Sequence, residues 1–201
     1  MRALAVLATV GPLPGPEQRA RTVAAAKAGD PAAFELLMRQ HERLVLATAL
    51  RILGNLTDAQ DASQEVFLKL YRNLGRVESG GGVSSWLYRV TVNVCHDLRR
   101  RRPASPSLDS GAEGAAEVPA SGCDPLETVS EAERRRALEL SLRLLSEKER
   151  AALVLRDLEG LSTRDVARVL GSTEATVRSQ ISKGRIKVRT FVERYFRRKE
   201  R

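Results

Sequence analysis

The residues best equipped for chemistry in this chain are basic, and they come in two groups. Arg178, Ser179, Ser182, Lys183, Arg185 and Arg189 recur at helical spacing. Arg and Lys presented this way pair with guanine edges and with phosphates. Arg99 to Arg102 form a second group, four arginines in a row, and follow Trp86, Arg89, Asn93 and Asp97 at spacings of three and four. Cations at a helix C-terminus are favourable on dipole grounds alone. Beside an aromatic and an amide they are better explained by phosphate and base contact. A third group is acidic: Asp58, Asp61 and Glu65 fall on one helical face. Such carboxylates could bind a metal, work as acid and base, complement a helix dipole or dock on a basic surface. No histidine joins them and the chain has no glycine-rich phosphate loop, which leaves a solvated face or a docking face. His41 and His96 are isolated. Cys95 and Cys123 lie far apart, and the Cys95-His96 pair has no further ligands at metal spacing. No catalytic residue, metal or cofactor is therefore expected.

The elements that position the first basic group are legible. Ser162 can cap a helix, with Asp165 three residues later as its capping-box partner. Val166, Ala167 and Leu170 make a short apolar stripe. Gly171 supplies the positive φ a tight turn needs. Thr173 opens a second helix with Val177, Ile181, Val188 and Val192 on one face, Gly184 among them, and the basic residues on the other. A short helix, a glycine turn and a longer basic helix make a helix-turn-helix, whose second helix enters the major groove. The plainer alternative is a helical hairpin with a solvated basic face.

The composition agrees with a polyanionic partner. The chain has 201 residues and a formal net charge of +9, and it contains no apolar stretch long enough to span a bilayer, so nucleic acid comes before membrane. Aromatics are too scarce for a base-stacking platform. Unpaired cysteines favour a reducing cytoplasm.

Taken in order, residues 1–16 read as a disordered leader; Met1 to Val10 resembles a truncated signal peptide. Residues 17–102 read as a helical domain. Glu17 to Gly29 is a short first helix. Asp30-Pro31 caps a long one that runs to Gly54-Asn55. Thr57 starts the next, with Gln60 in the capping-box position, and Ser84 or Ser85 caps the helix that ends in the arginines, after a loop from Arg76 marked by Gly80 to Gly82. Residues 103–126, rich in Pro, Ser, Gly and Ala and acidic through Asp109, Glu113, Glu117 and Asp124, read as a flexible linker. Residues 127–201 read as a second helical domain: a helix to about Leu144, a helix capped by Ser146 with Glu149 as box partner and ended by Gly160, then the helix-turn-helix. The fold class is all-α, in two domains.

The order of DAQDASQEVFLKLYRNL, WLYRVTVNVCHDLRRRR, a linker and LSEKERAALVLRDLEGLSTRDVARVLGSTEATVRSQISKGRIKVR resembles the extracytoplasmic-function (ECF) group of bacterial sigma factors, the smallest members of the sigma-70 family. The resemblance spans about Asp30 to Arg197. It implies a sigma-2-like domain, a linker and a sigma-4-like domain, and a factor without catalysis of its own that gives RNA polymerase promoter specificity. It makes Asp58, Asp61, Gln64 and Glu65 a face for the β′ clamp helices. Trp86, Arg89, Asn93, Asp97, Arg99 and Arg100 become −10 contacts, where the promoter melts and bases are captured as they leave the stack. Thr176, Arg178, Ser179, Ser182, Lys183 and Arg185 become −35 contacts. The partners it implies are core RNA polymerase, through clamp helices and β flap, promoter DNA and an anti-sigma factor, with no membrane insertion. The chain departs from the group's pattern at Ser172, Gln180, Ser182 and Gly184, the last at an expected cost of about 1 kcal/mol in helix propensity. Two rivals remain beside it. One is a dimeric helix-turn-helix repressor; the other is a metal-dependent nucleic-acid enzyme using Asp58, Asp61 and Glu65.

Overall fold

The structure, a computed structural model, describes residues 15–77, 82–101 and 125–199. The leader expected over 1–16, apart from its last two residues, and nearly all of the expected linker lie outside them, as do Gly80, Gly81, Arg102 and Cys123. The described residues form eight α-helices: α1 (Pro16–Lys27), α2 (Pro31–Leu53), α3 (Leu56–Asn73), α4 (Gly82–Arg101), α5 (Pro125–Arg143), α6 (Glu147–Leu153), α7 (Thr163–Leu170) and α8 (Glu174–Lys199).

Several ends follow the sequence closely. The Asp30 carboxylate accepts from the Ala32 and Ala33 amides and caps α2, with Pro31 at its first position. Gly54 closes that helix at φ 80° and its amide donates to the Leu50 carbonyl. Ser146 and Glu149 form the full capping box at α6. Ser162 caps α7, and Gly171 ends it at φ 58°.

Three expectations need correction. α3 begins at Leu56, because Asn55 rather than Thr57 is the cap: its side-chain oxygen accepts from the Asp58 amide at 2.7 Å. α4 begins at Gly82, a turn or less before the serines expected to cap it. The helix after Ser146 does not run evenly to Gly160; α6 stops at Leu153 and passes into one π-helical turn, Val154–Leu158, closed by the Glu159 amide on the Val154 carbonyl.

In the N-terminal half α2 lies at the centre, packed by α1, α3 and α4. Leu37, Val45, Ala49 and Ile52 of α2 meet Val66 and Leu70 of α3 and Leu87 and Val94 of α4 in a buried core. In the C-terminal half α8 is the spine, packed by α5, α6 and α7 around Leu153, Leu155, Val166 and Val177. Gly184 has a packing reason beyond its helix cost. A Cβ there would come 3.1 Å from Leu153 Cδ1, so the missing side chain lets α8 settle on α6. The halves are not separate bodies. α4 packs on α7, and the end of α2 packs on α5, α6 and the π turn, so the buried residues of both form one continuous cluster.

Candidate nucleic-acid interface

The helix-turn-helix is built as the sequence implies. Val166, Ala167 and Val169 anchor α7, and Val177, Ile181 and Gly184 bury the inner face of α8. Thr176, Arg178, Ser179, Ser182, Lys183, Arg185 and Arg189 are all exposed on the outer face. Thr173 caps α8, its hydroxyl accepting from the Thr176 amide at 3.2 Å. Three of the arginines are already engaged. Arg178 bonds Glu174 at 3.0 Å and Arg189 bonds Glu193 at 2.9 Å, both one helical turn apart. Exposed pairs of this kind hold by about 1 kcal/mol or less, so DNA can displace them. Arg185 differs. Asp157, on the π turn, takes its guanidinium through two bonds of 2.6 and 2.8 Å, which raises its already high pKa. A concavity of about 410 Å³ opens here between Arg156, Thr163, Arg178, Ser182 and Arg185.

On α4 the four residues of the second line do not share one environment. Arg89 and Asn93 are exposed, Asp97 is half-buried, and Trp86 leans on the hydrophobic cluster. Asp97 accepts from Arg100 at 2.5 Å, which holds its carboxyl below the usual carboxylate range. Arg99 turns the other way, with Glu147 at the start of α6 3.7 Å away. Behind the N-terminus of α4 lies His41. Its Nδ1 lies 2.9 Å from the Leu37 carbonyl and its Nε2 3.4 Å from the Ser84 hydroxyl. Those partners fit a neutral ring that donates from Nδ1 and accepts at Nε2. Burial accordingly pushes its pKa down, against the pull of the Leu37 carbonyl, and Arg19 adds to the depression.

The acidic face of α3 is smaller than the spacing suggests. Asp61 and Gln64 are exposed, and Glu65 is half-buried beside Lys69 at 3.0 Å. Asp58 is not on that surface. It is 8% exposed and accepts from the Asn55 side-chain amide as part of the α3 cap. Sequence spacing could not find this, because the cap lies two residues earlier than Thr57. What the sequence also left unmarked is an apolar groove of about 580 Å³ beside Gln64, between α2 and α3 and lined by Phe34, Met38, Phe67, Leu68 and Tyr71. Leu68 is 56% and Tyr71 68% exposed at this groove. Among the described residues no three of His, Cys, Asp and Glu come together as a metal site requires, and no helix is long and apolar enough to cross a membrane.

Comparison with known proteins agrees with this architecture. Residues 37–104 match the sigma-70 region 2 family and residues 135–188 match sigma-70 region 4. The chain is 34% identical over 170 residues to the ECF RNA polymerase sigma factor SigE of Mycolicibacterium smegmatis, covering 83% of this chain and 65% of that protein. It is 34% identical over 179 residues to the RNA polymerase sigma-H factor of Pseudomonas aeruginosa, covering 84% of this chain and 91% of that one. At the level of fold it matches the sigma factor RpoE solved with the anti-sigma factor NepR from Bartonella quintana, with TM-score 0.60, 22% identity, and coverage of 77% of this chain and 96% of that one. With both sigma-70 regions present in order, and relatives 34% identical that the chain covers over most of their length, the chain belongs to the ECF group of sigma-70 family RNA polymerase sigma factors.

Proposed function

We propose that this chain binds core RNA polymerase through α3, reads the −10 element with α4 and reads the −35 element with α8. The observation that carries this is the exposed basic face of α8, raised on a capped α7 and a left-handed Gly171 turn, within a sigma-70 region 4 match. Thr176, Arg178, Ser179, Ser182 and Lys183 are its base and phosphate contacts. Arg185 contributes only as far as it leaves Asp157. On α4 the contacts are Trp86, Arg89, Asn93, Asp97 and Arg100, with Arg99 available once it leaves Glu147. On α3 Asp61, Gln64 and Glu65 meet the clamp, with the Leu68–Tyr71 groove beside them; Asp58 is left out of the contact set. The chain acts by binding, with no bond made or broken by its own side chains. An anti-sigma factor remains the expected negative partner, as family membership and the fold-level likeness to a sigma factor solved with one both suggest.

Run-off transcription with core polymerase on a randomised promoter library tests the reading. Enrichment of one −35 and one −10 motif at fixed spacing is expected. Tight binding of a palindrome by a dimer of the chain alone, without polymerase-dependent transcripts, would sink it in favour of a repressor.

A further inference from the structure

One arginine on the outer face of α8 is held from outside its own helix. Arg178 and Arg189 pair with glutamates of α8 itself, one turn away. Arg185 reaches instead to Asp157, 28 residues earlier, and gives it two bonds, Nε to Oδ2 at 2.8 Å and Nη2 to Oδ1 at 2.6 Å. A bidentate fork of this kind is among the strong geometries open to a guanidinium and a carboxylate. Asp157 also stands on an anchored platform. Val154 and Leu155 of the π turn are fully buried. The Leu161 amide donates back to the Leu155 carbonyl at 3.0 Å, and Arg156 Nη1 to the Leu161 carbonyl at 3.0 Å. The i→i+5 bonding of such a turn takes up one residue more than an α-helix does, and these turns recur at functional sites. The Asp157 side chain is 26% exposed and that of Arg185 59%.

The place of this pair gives it a consequence for DNA. Arg178, Ser182 and Arg185 follow one another at spacings of four and three, and with Arg156 and Thr163 they line the concavity of about 410 Å³. Phosphate attracts each of these arginines whatever the base sequence, and every phosphate neutralised steepens the salt dependence of binding. Asp157 opposes this at Arg185 in two ways. It occupies two of the five guanidinium donors. Its negative charge also offsets the cation for any group further away than the pair itself. A phosphate approaching Arg185 therefore meets like charge and has to displace a partner held by two bonds. The pair of Arg178 with Glu174, one bond between exposed side chains, is the lower barrier.

We propose that Asp157 is a brake on the −35 reader: its clasp on Arg185 withholds one cation of α8 from the DNA backbone, and so lowers the affinity of the helix for DNA of every sequence. The proposal rests on the reading of α8 as the −35 helix and deepens it. Asp157 touches no DNA. It acts through Arg185 and is a positioning residue. The chain carries a formal net charge of +9, so its attraction to any polyanion is large before a base is read. A carboxylate fixed on a neighbouring element reduces that attraction at one point of the reading face while leaving Arg178, Ser179, Ser182 and Lys183 free to meet bases. The sequence-independent share of the binding is thereby set by a residue outside the recognition helix.

The test measures binding of the full chain to a random-sequence duplex across a range of salt. Asp157→Asn is expected to bind about fivefold or more tightly than the parent at 0.1 M salt, with the log–log salt slope steeper by about 0.9, the share of one phosphate. In an Arg185→Gln background the same substitution is expected to add no phosphate to the slope. Glu139→Gln removes an equal charge from α5 and is expected to leave the slope unchanged. Thermal melts show that each variant is folded, and Asp157→Ser repeats the measurement with a different uncharged side chain. Weaker binding at an unchanged slope in both Asp157 variants would mean that the clasp only holds the fold, and overturns the brake. An equal gain in Glu139→Gln overturns it too, because net charge would then suffice. Library transcription with core polymerase is expected to give the same −35 motif for Asp157→Asn and parent; loss of preference at one base would make Arg185 a base reader and overturn the proposal. Absence of polymerase-dependent transcripts from the parent itself would instead overturn the sigma-factor reading, whatever the salt slopes show.

Discussion

The Arg150 guanidinium donates to the Ile52 carbonyl across the contact between the two halves, 98 residues away in sequence, while its other nitrogens reach Leu142, Arg143 and Leu145 at 2.7, 3.0 and 3.2 Å. One side chain therefore closes the carboxyl ends of two helices, α2 and α5. It is 3% exposed, and among the described residues no carboxylate bonds to it; burial pushes its pKa down to about 10, with Arg99 and Arg143 adding to the fall and Glu147 opposing it. The group stays charged at neutral pH. Its energetic return is the set of carbonyls that would otherwise be buried without donors.

Arg150→Met tests that account. It keeps the length and apolar stem but leaves the carbonyls unsatisfied, at about 1–3 kcal/mol for each that water cannot reach. A loss of at least about 3 kcal/mol is expected from the urea midpoint of the full chain. A loss under about 1 kcal/mol would show that the carbonyls find water.

Asp58 and Asp61 stand three residues apart and are expected to fail differently. Asp58→Ala removes half of the Asn55–Asp58 cap and should cost about 1–2 kcal/mol of stability. Asp61→Lys with Glu65→Lys leaves the core untouched and should preserve the melting temperature while weakening core polymerase binding at least tenfold. Titration of labelled chain with core polymerase reads the second effect. Unchanged affinity in the double reversal would remove α3 from the docking surface.

The contrast shows where the sequence is informative. Caps with a serine or aspartate before an apolar run, such as Asp30, Ser146 and Ser162, announce themselves, because the signal and the structure both lie within four residues. The left-handed turn at Gly171 and the outward basic face of α8 are local in the same sense. Asn55 against Thr57 is a contest between two good caps that spacing alone does not decide; Asn55 takes it by bonding both the amide and the side chain of Asp58. The contact between the halves is further from reach. Glu159 accepts from Arg51 and from the Tyr88 hydroxyl across it. These are ordinary surface types with no periodic relation, and a Pro- and Gly-rich stretch between two helical halves argues for independence rather than contact. Gly184 reads as a helix defect until the Leu153 methyl group beside it is known.

Stability should fall as pH drops below about 6.5. Burial lowers the pKa of both His41 and His96; for His96, Glu147 and Asp97 oppose the fall and Arg99 and Arg100 add to it. The unfolded chain then binds protons at a pH where the folded chain does not, so protonation favours unfolding. The histidine contribution is complete above the unfolded value, near 6.5, and declines as pH falls toward the folded ones. Asp97 and Glu149, both held below their ordinary range, continue the decline at lower pH, as the unfolded carboxylates take up protons near 4. Urea midpoints from pH 8 to 5 should fall for the parent and fall less for His41→Gln. A flat profile would mean that both rings find solvent when charged.

Arg178 and Arg189 separate base reading from charge within one helix. Both are exposed, and each pairs with a glutamate one turn away, at 3.0 and 2.9 Å, so truncating either disturbs no core. What differs is position. Arg178 stands in the second turn of α8, where side chains reach base edges in this mode of docking; Arg189 lies three turns further along. Arg178→Ala is expected to cost about 1–3 kcal/mol at the preferred −35 sequence and to relax preference at one base position. Arg189→Ala is expected to weaken all sequences alike, with a smaller salt slope and the same preferred motif. Library transcription at two salt concentrations, with each variant bound to core polymerase, distinguishes them. If Arg178→Ala keeps the −35 preference intact while lowering the salt slope, Arg178 is a phosphate contact and the reading of bases falls to Ser179, Ser182 and Lys183.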